Sequence, residues 1–236
     1  MSGGRWAGIA NFRGKEAVLP KLRVLFMQIL SHRGYWKDFA TESNRKISFE
    51  RSFDLGFGTE TDLRDICGKI IISHDMPHGD EITFSKVLEI MNGKNLPLAL
   101  NIKADGQSDE ILKTLAEYGH TNYFTFDMSI PDMVVQMKKG LKVFTGLSDI
   151  LKEPVLLDKA CGVWLDSFNS EWFESDDVEK LLDCKKKVCV VSADLHKREV
   201  TEQWAKIKTF SFLKTDELML CTNEPEKAMA FFGERK

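Results

Sequence analysis

No uninterrupted apolar stretch in this chain comes near the roughly 18 residues that a membrane-spanning helix needs, so no integral membrane segment is expected. Nor is any stretch rich in proline, glycine or serine, as a linker between domains would be. The five cysteines, Cys67, Cys161, Cys184, Cys189 and Cys221, are odd in number and lack close metal-type pairing. They read as reduced core residues, three of them among strand-like apolar neighbours. With no cleavable signal pattern, the expected setting is a reducing compartment, the cytoplasm. An excess of one charge is missing too: 33 Lys and Arg against 36 Asp and Glu leave a formal net charge of -3, which gives nucleic acid no general attraction.

What is present is an ordinary soluble composition, 43% hydrophobic and 29% charged, over 236 residues. That length suits two small domains or one barrel-sized domain. The first 26 residues stand apart, with Arg5, Arg13, Lys15, Lys21 and Arg23 against the single acid Glu16; the totals of 33 and 36 thus leave 28 basic and 35 acidic residues elsewhere. A basic extension over 1–26 is expected ahead of a domain over 27–236. The extension reads as a loosely docked arm, an organelle-targeting segment, or a stretch preceding a start at Met27.

From residue 24 onward short β-rich runs alternate with stretches of helical period. Strands are predicted at Val24–Ser31, Gly58–Leu63, Leu98–Ile102, Tyr123–Phe126, Lys142–Thr145, Val163–Leu165, Val188–Ser192 and Leu218–Cys221. Helices are predicted at Ser48–Leu55, Phe84–Met91, Asp109–Tyr118, Pro131–Lys139, Val178–Leu182, Val200–Lys208 and Glu224–Phe232, with a weaker one over Ile150–Lys159 broken near Pro154. Eight such repeats fit an α/β fold, a single (β/α)8 TIM barrel. The extra run Ile70–Ser73, after the turn Cys67-Gly68-Lys69, reads as the return arm of a hairpin or loop inserted after the second strand.

In such a barrel the C-terminal strand ends converge on one mouth. The first strand ends in His32-Arg33-Gly34, the second carries Glu60 and Asp62, the returning loop carries His74-Asp75, and the third ends in Asn101 and Lys103. Residues two apart on a strand share a face, so Glu60 and Asp62 would both point inward. Two adjacent carboxylates repel unless a cation or a shared proton neutralises them, and oxygen ligands suit Mg²⁺ or Ca²⁺. Asn101 adds a neutral oxygen ligand and Lys103 a cation. Two imidazoles flanking a metal-bound phosphodiester can act as general base and general acid, while Arg33 and Lys103 offset charge on the phosphoryl oxygens.

"HRG", "SFERSFDLGFGTETDLRD" and "IIISHDMP" together resemble the glycerophosphodiester phosphodiesterase family, within the wider group of barrel phosphodiesterases that includes phosphatidylinositol-specific phospholipases C. Weaker echoes run through "LALNIK", "FTFDMS", "GVWLDSF", "VSADLHKR" and "LCTNEP". The resemblance implies that His32 and His74 are the acid/base pair, that Glu60 and Asp62 are metal ligands, and that Lys103 contacts phosphate. The expected partner is a small phosphodiester substrate. The family commonly places a third metal carboxylate where Asn101 stands; the amide removes one negative charge, which lowers metal affinity, admits a different cation or leaves the shell to be completed by substrate phosphate. Gly146, where some relatives carry arginine, is a second departure.

Plainer readings stand beside these. Glu60 and Asp62 also suit a structural network with Arg33, Arg51 or Arg64. Trp164, Asp166 and Phe168 share a face and either frame the alcohol part of the substrate or, for Trp164, pack the barrel interior. Asp75 reads as orienting a loop or its neighbouring histidine rather than as a direct catalyst, and His196-Lys197-Arg198 as an anion site or a solvated basic turn. Met128, Met133 and Met137 read as packing, and His78 and His120 have no partner visible in the sequence. A binding protein with weakened catalysis, or an enzyme for a polysaccharide-linked phosphodiester, remain the alternative functions.

Overall fold

The computed structural model describes residues 27–213 and 215–233, so the expectation for residues 1–26 lies outside the described residues. In chain order the elements are β1 (Gln28–His32), α1 (Phe39–Glu42), α2 (Lys46–Asp54), β2 (Gly58–Ile66), β3 (Lys69–Ile72), α3 (Phe84–Met91), β4 (Leu98–Ile102), α4 (Ser108–Glu117), β5 (Tyr123–Phe126), α5 (Ile130–Lys138), β6 (Phe144–Leu147), β7 (Gly162–Leu165), α6 (Ser175–Asp183), β8 (Lys187–Val191), a 3₁₀ turn (Ala193–His196), α7 (Thr201–Lys208), β9 (Leu218–Thr222) and α8 (Pro225–Phe232).

The helices follow from local chemistry. In α3, Phe84, Val87, Leu88 and Met91 recur at i, i+3, i+4 and i+7 and are all buried. The Thr83 side chain accepts from the Lys86 N–H at its start, and Asn92 closes it in the left-handed region at φ 50°. In α5 the Ser129 side chain accepts from the Asp132 N–H and Pro131 sits in the first turn, where its missing N–H costs nothing.

Eight strands are parallel and neighbours in the order β5-β4-β2-β1-β9-β8-β7-β6, while β3 returns antiparallel on β2. A single parallel bridge, Thr125 to Val143, joins β5 to the start of β6 and closes the ring. The fold is an α/β TIM barrel with a hairpin after its second strand. Leu98, Leu100 and Ile102 of β4 pack outward against α3 and α4 with Leu63 and Ile111, whereas Ala99 faces the interior with Leu30, Phe124 and Trp164. Burying each such side chain contributes roughly 1.5–3 kcal/mol. The interior is divided: Phe124 stacks on Phe144 at 3.8 Å between centroids and Phe126 on Trp164 at 4.0 Å, while the β1, β2 and β4 side carries polar and charged groups toward the mouth.

Several boundaries move. The first strand starts at Gln28, and the fifth barrel strand is Phe144–Leu147 rather than Lys142–Thr145. The helix expected over Ile150–Lys159 does not form: residues 155–159 make a turn, because Pro154 cannot donate and Leu156 takes φ 53°.

Candidate active site

At the end of β1 the chain turns sharply through two left-handed residues, Arg33 at φ 57° and Gly34 at φ 79°. The Arg33 N–H donates to the Glu60 carbonyl at 2.9 Å and lies 3.3 Å from Glu60 Oε2, while the Gly34 N–H donates to Thr59 Oγ1 at 2.9 Å. The turn thereby returns the arginine toward the acids of β2. Arg33 Nε is 3.1 Å from Asp62 Oδ2, and Lys103 Nζ is 3.4 Å from Asp62 Oδ1. Asn44 Nδ2 donates to Asp62 Oδ2 at 2.8 Å and Asn44 Oδ1 accepts from the Thr61 hydroxyl at 2.9 Å, bracing β2.

The structural-network alternative therefore applies to Arg33 alone among the three arginines considered. Arg51 pairs with Glu42 at 2.9 Å, and Arg64 Nε donates to the His74 carbonyl, holding the loop that carries that histidine.

His32 sits beside Glu60, with Nε2 3.8 Å from Oε2. Its Nδ1 is 2.8 Å from Asn223 Oδ1, and Asn223 is itself fixed because its Nδ2 donates to the Asp194 carbonyl and its backbone N–H to Asp194 Oδ2. With the amide nitrogen so engaged, Oδ1 is the acceptor; the neutral ring keeps its proton on Nδ1 and leaves the Nε2 lone pair toward Glu60. Burial, helped by the Arg33 charge, lowers the His32 pKa to about 4. Burial and the neighbouring Asp62 charge push Glu60 up to about 8. That is the signature of an acid pair still short of positive charge.

Asn101 Oδ1 is buried without a hydrogen-bond partner, and Asp62 Oδ1 has only the Lys103 ammonium at 3.4 Å; the two residues are aligned across β2 and β4. Among the described residues no three His, Cys, Asp or Glu side chains form a metal-binding group; the oxygen beside Glu60 and Asp62 on β4 is the Asn101 amide. Glu60, Asp62 and Asn101 together fit a hard divalent cation, whose all-oxygen preference includes amide carbonyls.

His74 lies on the segment after β3, with its side chain 42% exposed and Nδ1 2.9 Å from Asp75 Oδ1. The imidazole holds the Asp75 carboxyl below its ordinary range. A cavity of about 330 Å³ opens beside His74 and Arg33. Another cleft, about 680 Å³ between α2 and α3, lies outside the barrel among paired surface charges.

On the other side of the mouth, Asp166 Oδ1 is 2.7 Å from His196 Nε2 and accepts from the Ser167 N–H, and Phe168 sits 5.0 Å from the His196 ring. Trp164 is buried in the interior stack. Lys197 is exposed, while Arg198 donates to Glu171 at 2.9 Å and to the Ser167 carbonyl. Met128, Met133 and Met137 pack in the outer core, and His120 Nε2 meets the Asn122 carbonyl.

Asn44, Asp127, Asp194 and Asn223 were not singled out by the sequence. Asp127, at the end of β5, has its pKa raised by burial and by Asp166 and Asp62, against the pull of Lys103. Asp127 and Asn223 follow barrel strands directly, so the rule that strand ends meet at the mouth reaches both. Asn44 carries no comparable signal.

No protein-family model matches the chain, and no curated protein sequence matches it significantly. In fold it is similar to a glycerophosphodiester phosphodiesterase from Agrobacterium tumefaciens C58, with TM-score 0.64 and 13% identity over 87% of this chain and 99% of that one. It is similar also to an Oleispira antarctica phosphodiesterase solved with the product sn-glycerol-3-phosphate, with TM-score 0.62 and 13% identity over 89% and 98% of the two chains. A glycerophosphoryl diester phosphodiesterase from Parabacteroides distasonis gives TM-score 0.60 and 11% identity over 89% and 87%.

Proposed function

We propose that the protein is a phosphoric diester hydrolase acting on a glycerophosphodiester or a related small phosphodiester. The observation that carries this reading is the Asn223–His32–Glu60/Asp62–Arg33 arrangement, a base of fixed tautomer beside two acids and a cation at a barrel mouth. The fold shared with phosphodiesterases supports it.

In this mechanism His32 Nε2, neutral at pH 7, takes the proton of the attacking water or substrate hydroxyl as its oxygen bonds to phosphorus. The bond from phosphorus to the other ester oxygen breaks, and His74, steadied through Nδ1 by Asp75, delivers a proton to the departing alkoxide. Arg33 and Lys103 offset the charge on the phosphoryl oxygens. Glu60, Asp62 and Asn101 would hold a divalent cation, Mg²⁺ or Ca²⁺, which when bound supplies Lewis-acid stabilisation of those oxygens. Asp166, paired with His196, would face the alcohol part of the substrate, while Trp164 packs in the interior stack.

His32→Ala and His74→Ala should each lower kcat/KM for glycerophosphodiesters by about 10²–10⁴-fold. Full activity in both single variants would defeat the acid/base assignment. One observation favours the alternative of a phosphate-ligand binding protein: the amide of Asn101 in place of a carboxylate. Ligand binding without turnover in the wild-type protein, with turnover appearing in Asn101→Asp, would select that alternative.

A further inference from the structure

At the mouth end of β7 the side chains alternate: Trp164 packs in the interior stack, Leu165 packs outward with Val178 and Ile207, and Asp166 faces inward again, only 8% exposed. Asp166 Oδ1 meets two donors, the Ser167 N–H at 2.7 Å and His196 Nε2 at 2.7 Å. A carboxylate cannot donate, so the proton of the neutral imidazole sits on Nε2 and Nδ1 keeps its lone pair. Among the described residues Asp166 Oδ2 and His196 Nδ1 have no hydrogen-bond partner, and neither atom is sealed from solvent. Neighbouring donors are engaged elsewhere: Arg198 Nη1 and Nη2 with Glu171 and the Ser167 carbonyl, Trp172 Nε1 with the Asp166 carbonyl. The pair thus offers two acceptors and no donor. Gly146, aligned with Trp164 on β6, adds no side chain to this part of the mouth, and a β-carbon there would meet only Leu151 Cδ2, at 3.5 Å. The 3₁₀ turn that carries His196 is held by Gln203, which accepts from the Ala193 N–H and donates to the Val191 carbonyl, and the same turn supplies the Asp194 that fixes Asn223.

We propose that Asp166 and His196 are the specificity-determining pair for the alcohol esterified to the phosphate, and that they accept hydrogen bonds from a donor on that alcohol, a hydroxyl or an ammonium. The inference rests on the phosphodiesterase reading, which puts the alcohol on this side of the mouth and leaves open what recognises it. An alcohol that carries such a donor replaces the water on Oδ2 and Nδ1; one that carries a methyl group in its place displaces that water and leaves both acceptors unpaired, which costs far more than a missing contact.

The test compares glycerophosphodiesters of ethylene glycol, ethanolamine and 1-propanol, which set a hydroxyl, an ammonium and a methyl group equally far from phosphorus. Reading kcat/KM from the glycerol phosphate formed counts only cleavage on the side of the test alcohol. The wild-type protein should prefer at least one polar ester to the propyl ester, and the larger preference identifies the donor as hydroxyl or ammonium. Asp166→Ala should cut that preference about 10–100-fold and His196→Phe several-fold. Differences in leaving-group acidity are common to wild type and variant and cancel when preferences are compared, while a loosened turn lowers all three esters together. No preference in the wild type, a preference that either variant leaves unchanged, or release of glycerol in place of the test alcohol overturns the inference and leaves the phosphodiesterase reading standing. No turnover of any of the three esters overturns both.

Discussion

At the scale of single residues the site turns on how His32 is held. Its Nδ1 proton is committed to Asn223, and Asn223 is committed to Asp194 through two of its own donors. Asn223→Ala frees the ring to rotate and should lower kcat by about 10–100-fold, as loss of an orienting partner does elsewhere. Asn223→Asp keeps an acceptor and adds negative charge, so it should retain more activity and raise the His32 pKa. In metal-free protein an NMR titration of His32 should show a midpoint near 4, well below the ordinary 6.5. The sign for stability follows. Between about pH 6.5 and about 4 the unfolded chain binds a proton at this residue that the folded chain refuses, so His32 makes stability fall as pH drops through that window. A midpoint at 6.5 or above would remove the ground for a neutral base at this position.

At the scale of elements, the turn after β1 explains why arginine and glycine follow the histidine. Gly34 has φ 79°, and a β-carbon there would collide with the Ser48 side chain and backbone of α2. Gly34→Ala should therefore destabilise the protein by about 1–3 kcal/mol in urea unfolding and displace Arg33 from Asp62. A variant of unchanged stability would show that the turn tolerates a side chain. This turn was legible in the sequence because His32, Arg33 and Gly34 break a buried strand pattern at its end, and Glu60 and Asp62 because their two-residue spacing fixes a shared face. The hairpin arm at Ile70–Ser73 was legible for a similar reason, an apolar run too many for an eight-stranded barrel. Asn44 and Asn223 were not, since an asparagine's partners are fixed only when distant elements meet: 18 residues separate Asn44 from Asp62 and 191 separate Asn223 from His32. The segment 150–159 misled because its apolar spacing suits a helix while Pro154 and the left-handed Leu156 forbid one.

At the scale of the whole molecule the barrel is asymmetric in both chemistry and closure. The acids and His32 sit on β1 and β2, inside an arc in which β4, β2, β1 and β9 are joined by continuous parallel ladders. The weak join lies elsewhere, where Thr125 and Val143 make one isolated bridge and the Thr125 N–H reaches the Lys142 carbonyl. Side chains reinforce that seam, the Thr125 hydroxyl meeting Gln136 Oε1 at 2.6 Å and Gln136 Nε2 donating to Asp132 Oδ2 at 2.7 Å, but they tie β5 to α5 and not to β6. Local opening should therefore begin between β5 and β6, where the fewest ladder bonds have to break. In native-state hydrogen exchange the Thr125 amide should exchange about tenfold or more faster than the amides of Thr61 and Leu100 in the central ladder. Because the seam borders the aromatic half of the interior, such opening would loosen the Phe124–Phe144 stack and leave the His32, Glu60 and Asp62 geometry intact. Equal protection on both sides would mean that the aromatic stacking, which crosses from β5 to β6 where the backbone ladder does not, closes the ring as firmly as hydrogen bonds do.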